Sequence, residues 1–135
     1  MMTQNLLPIK VKNDGYLSGL TSLAGMLVYL ELMWACRLRD SIERNVQARS
    51  GGQGWTDSEI CIALILWNLA GGDCVNDLRT LESDDGFCRL LKLAHQSGLN
   101  ARKRRKLMRR WRRKTHRTLA SSSSVFRYLE SFHDE

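Results

Sequence analysis

From residue 21 onward, large apolar side chains return at three- and four-residue spacing, first as Leu23, Leu27, Leu30, Trp34 and Leu38. That is the period of one face of an α-helix. A shorter segment, 39–46, sets Ile42 and Val46 on one side and the pairs Arg39/Glu43 and Asp40/Arg44 at i,i+4 on the other, which predicts a second, amphipathic helix. Glycines at 51, 52 and 54 mark a loop. Thr56 followed three residues later by Glu59 predicts a capping box that opens a helix near Asp57. Ile60, Leu64 and Trp67 lie in a nearly unbroken apolar run, the pattern of a central core helix, which Gly71 and Gly72 end.

Beyond those glycines, Val75, Leu78 and Leu81 predict a short helix over 73–81. Helix, glycine turn and helix form a helix-turn-helix-like pair, although any two packed helices joined by glycines share that pattern. Asp84 is placed to cap a further helix that buries Phe87, Leu90 and Leu91. A basic segment follows a turn at Ser97 and Gly98, with Leu107, Met108 and Trp111 on one narrow stripe, which predicts a helix docked by one edge. Finally, Ser122 or Ser123 is expected to cap a helix that packs Val125, Phe126, Leu129 and Phe132 and turns Ser123, Arg127 and Tyr128 outward. The expected fold is all-α, about six helices with a long basic one. Residues 1–20 form an extended arm, 21–96 a helical core, 97–120 the basic helix and 121–135 a C-terminal helix.

Composition narrows the class. The chain has 135 residues, one proline and an apolar fraction of 43%, enough for one folded unit with a core. The N-terminal residues hold no signal-peptide core. The apolar windows 23–38 and 60–70 fall short of the roughly 20 residues that span a bilayer, so no membrane partner is expected. Cys36, Cys61, Cys74 and Cys88 show neither zinc-type nor redox-type spacing, which predicts reduced core thiols in a cytoplasmic protein.

Charge changes the picture most. Residues 102–117 hold eleven of the 21 Lys and Arg residues and none of the 14 acids, so ten cations face fourteen acids elsewhere, a net −4 against the overall +7. Cations concentrated in one block predict a localised polyanion-binding element. The expected partner is double-stranded DNA, whose phosphates release counterions when Lys or Arg neutralises them. The candidate contacts are Arg102, Lys103, Arg104, Arg105, Lys106, Arg109, Arg110, Arg112, Arg113, Lys114 and Arg117, joined by Ser123, Arg127 and Tyr128 if the last helix enters a groove. Trp111 fits packing better than base stacking. Asp73 and Asp77 at i,i+4, and the adjacent Asp84 and Asp85, fit helix capping better than a metal site. His95, His116 and His133 are isolated, so no catalytic residue and no metal ligand is assigned.

The run GWTDSEICIALILWNLAGGDCVNDLRTLESDDGFCRLL, with SSSSVFRYLESFHDE and the earlier LTSLAGMLVYLELMWACRLRDSI, resembles the N-terminal region of bacterial insertion-sequence transposases of the Asp-Asp-Glu type. The likeness covers the chain from Leu20 onward, although relatives often carry proline near the serine run, where this chain has Ala120 and serines. It implies a helical unit that engages transposon-end DNA, upstream of a ribonuclease-H-like domain whose three acids bind Mg2+. No position here matches that triad, so the resemblance implies no cofactor and no catalysis by this chain alone. It also admits a homo-oligomer, or a module that pairs with full-length transposase and regulates it.

Overall fold

The computed structural model describes residues 21–48, 54–111 and 117–133. Among them are seven α-helices and a single 3-10 turn, with no strand: α1 (Met26–Ala35), α2 (Leu38–Asn45), α3 (Asp57–Leu69), the 3-10 turn (Val75–Asp77), α4 (Leu78–Ser83), α5 (Asp85–Gln96), α6 (Ala101–Trp111) and α7 (Ser122–Glu130). The expected arm at 1–20 lies outside the described residues.

Helix α3 is the centre. Its start is the predicted capping box: Thr56 Oγ1 accepts from the Glu59 amide while Glu59 reaches back to the Thr56 amide. Ile60, Ile62, Ala63 and Leu66 are buried along it. Helices α2, α4 and α7 pack against α3, and α1 packs on α2 and α5. At its C-terminus Gly71 takes a φ of +80°, a left-handed conformation that carries little strain in glycine. The core joins Leu30, Leu78, Phe87 and Leu91 to Leu119, Ala120 and Val125. Residues 117–120 therefore do not trail off a basic helix; three of them are buried.

Several expectations change. Helix α1 begins at Met26 and buries Met26, Leu30 and Met33, so the core lies about one residue round from the predicted Leu27/Trp34 stripe. That leaves Val28 and Leu32 exposed at 70% and 61%. Asp73 does not act as a cap: the 3-10 turn opens at Cys74, and Asp77, its third residue, reaches back so that its Oδ2 accepts from the Asp73 and Cys74 amides at 3.0 and 2.9 Å. Those amides hold the Asp77 carboxyl below its ordinary pKa. Asp84 caps α5 as expected, accepting from the Phe87 amide at 2.8 Å, while its other oxygen takes the Thr21 hydroxyl. Of the designed-looking pairs on α2, Arg39 and Glu43 meet at 3.0 Å, whereas Arg44 Nε donates to the Asp40 carbonyl instead of its carboxylate.

The last helix is rotated relative to the prediction. Its N-cap is Ser121, which accepts from the Ser124 amide. Val125 and Tyr128 are buried, while Phe126, Leu129 and Phe132 are exposed. The two i,i+3 pairs Val125/Tyr128 and Phe126/Leu129 describe equally good apolar stripes, and packing against α3 selects the first. Tyr128 Oη lies 3.1 Å from Cys61 Sγ, and its ring meets Phe132 edge to face.

Candidate nucleic-acid interface

Helix α6 is built from Ala, Arg, Lys, Leu, Met and Trp, nearly all strong helix formers. Intrinsic propensity therefore works against the like-charge repulsion at i,i+4. Asn100 starts the helix by accepting from the Lys103 amide at 2.9 Å, and Gly98 makes the preceding turn with φ +73°. Arg102, Lys103, Arg104, Arg105, Lys106 and Arg109 are all exposed; Leu107 is half-buried. The docked edge is slender: Gln96 Nε2 donates to Met108 Sδ at 3.4 Å and Arg104 Nη2 to the Leu99 carbonyl at 3.4 Å. No other helix packs extensively on α6 among the described residues.

The remaining predicted contacts divide sharply. Only the backbone of Arg110 and Trp111 is described, and Arg112, Arg113 and Lys114 lie outside the described residues. Arg117 is half-buried, with an Nε that has no partner among the described residues. Ser123 and Arg127 are exposed on α7. Tyr128 was expected to face outward and does not: it is 3% exposed and packed in the core, so it is withdrawn as a DNA contact.

The chain beyond the basic segment is fixed to the core by a residue that helical periodicity does not single out. Glu82, in α4, accepts from the Thr118 amide through Oε1 at 2.7 Å and from the Leu119 amide through Oε2 at 2.8 Å. One carboxylate thus holds the strand of chain that returns from the basic segment. A separation of 36 and 37 residues hides this clamp from any local pattern.

Cys88 lies in the same junction, its thiol directed at the Leu81 and Glu82 carbonyls. Burial first, and the Glu82 charge second, push its pKa up to about 11. Cys36 and Cys74 are exposed, against the expectation of four core thiols, and all four cysteines are free. In native buffer a thiol reagent is expected to modify Cys36 and Cys74 rapidly and Cys88 only on unfolding; peptide mapping that finds Cys88 among the fast thiols would contradict this junction.

Among the described residues no group of acidic, histidine or cysteine side chains is arranged to hold a metal, and no helix is long and apolar enough to cross a membrane. No family model, curated protein or solved structure matches the chain.

Proposed function

We propose that this chain is a DNA-binding helical unit, the N-terminal portion of an insertion-sequence transposase, that engages transposon-end duplex through α6 without chemistry of its own. The observation that carries the reading is the exposed surface of α6, where Arg102, Lys103, Arg105, Lys106 and Arg109 stand clear of the core with no acid in the segment. A solvated helix ordinarily mixes charge signs, because like charges at i,i+4 destabilise it; duplex phosphates relieve that repulsion. The resemblance of the α3–α5 sequence to transposase N-termini supports the process. The proposed parent enzyme would bring the Mg2+ site.

Binding to duplex DNA is expected to weaken linearly in log affinity against log salt, with a slope of about −4.5 for five phosphate contacts. A salt-titrated isotherm with a slope near zero, or no binding at low salt, would refute it. A second reading, a module that pairs with another transposase chain, is favoured by the apolar outer side of α1, where Val28, Tyr29 and Leu32 are exposed. That association would follow apolar burial and resist salt.

A further inference from the structure

The cations of α6 occupy a sector too wide for contact with a single phosphate strand. At about 100° per residue, Arg105, Arg109, Arg102, Lys106 and Lys103 follow one another, in that order, round about 160° of the helix. The remaining arc holds Leu107, Met108 and Ala101, and also Arg104. Arg104 is turned back onto the Leu99 carbonyl and belongs to the docked edge, so it is separated from the other five. A helix laid across one phosphate strand needs charge along a narrow line. A cationic sector approaching half the circumference suits phosphates on both sides at once.

We infer that α6 inserts into the major groove of B-form DNA, with Lys103 and Arg105 reaching the phosphates of the opposite walls and Arg102 and Arg109 facing the base edges on the floor. The inference rests on the DNA-binding reading above and specifies its geometry. An α-helix with its side chains is about 10–12 Å across and the major groove about 12 Å wide. The exposed α6, held among the described residues by its slender docked edge at Arg104 and Met108, meets the requirement for entry. Arg102 and Arg109 are seven residues apart, about 10.5 Å along the axis, which spans about three base-pair steps at 3.4 Å each. Arginine at those positions pairs with the N7 and O6 of guanine. This assigns the reading role to α6 instead of α7, whose exposed side carries Arg127 beside Glu130 and two apolar residues, Phe126 and Leu129.

The test uses the full chain and a mixed-sequence DNA duplex, with every variant checked by circular dichroism. Lys103→Ala and Arg105→Ala are each expected to reduce the salt slope by about one unit, because each removes a contact to a different wall. Arg104→Ala should leave the slope unchanged. Methylation of guanine N7 should weaken binding about tenfold or more, whereas a minor-groove ligand such as distamycin should not compete. Duplex RNA of the same sequence should bind poorly, because its major groove is too narrow for side chains to read. Binding that ignores N7 methylation, yields to distamycin or responds at only one of Lys103 and Arg105 would overturn the groove geometry while leaving DNA binding intact. Equal binding to duplex RNA would overturn the groove geometry too. Absence of duplex binding at low salt would remove both readings.

Discussion

Gly72→Ala is expected to destabilise the fold by about 3 kcal/mol, the upper end of the usual cost of overpacking a core. A Cβ at Gly72 would lie 1.8 Å from Trp67 Nε1 and 2.1 Å from Cδ1, which no rotation of a methyl group relieves. Trp67 would have to leave its place at the C-terminal end of α3, where it packs against the core. Gly71→Ala is the control. The φ of +80° at Gly71 disfavours alanine by about 1 kcal/mol, but the space around it is open. Urea unfolding should therefore show a midpoint for Gly72→Ala well below that for Gly71→Ala, at similar slopes. Trp67→Leu in the Gly72→Ala background should recover part of the loss as a coupling energy, since Trp67 Nε1 has no hydrogen bond to forfeit among the described residues. If the two alanine variants unfold together, the indole does not press on Gly72.

The same stretch of chain shows what a linear reading can and cannot reach. Caps and terminators are local chemistry: Thr56 and Glu59, Asp84, and Gly71 act within three or four residues of themselves, and each was legible for that reason. Rotation of a helix is not local. In α7 the sequence VFRYL offers two apolar stripes, and in α1 nearly every position is apolar, so periodicity leaves the buried side undetermined. In α7 the choice is made by α3, through Cys61 against Tyr128; in α1 it is made by packing on α2 and α5. Asp73 and Asp77 show a finer version of the same limit: two acids four residues apart both suit a helix start, but the turn opens at Cys74 and it is Asp77 that reaches back to the free amides. For the interface, the cationic block was visible from composition. The separate placement of Arg104, the burial of Tyr128 and the half-burial of Arg117 depend on neighbours brought together by folding.

Glu82→Ala is expected to have the other large effect, and on two observables at once. Removing the carboxylate leaves the Thr118 and Leu119 amides without their acceptor at a place where both residues are almost fully buried. Each orphaned donor costs about 1–3 kcal/mol, so a loss of about 3 kcal/mol in urea unfolding is the reasonable expectation. Glu82→Gln keeps one accepting oxygen and places an amide nitrogen against the other donor, and should fall between the variant and the native chain. Amide exchange at Thr118 and Leu119 should quicken most in Glu82→Ala. The effect on DNA binding has a sign that separates position from charge. Taking away an acid raises the net charge from +7 to +8, which by electrostatics alone tightens binding to phosphate. If Glu82 holds the return from α6 in place, Glu82→Ala should instead bind more weakly despite its extra positive charge. The salt slope should change little, because the cations of α6 are all still present. Glu82→Gln raises the charge equally but keeps part of the clamp, so on the positioning account it should bind more tightly than Glu82→Ala. Binding that strengthens equally in both variants, with folding intact, would mean that the clamp stabilises the core without placing the basic helix.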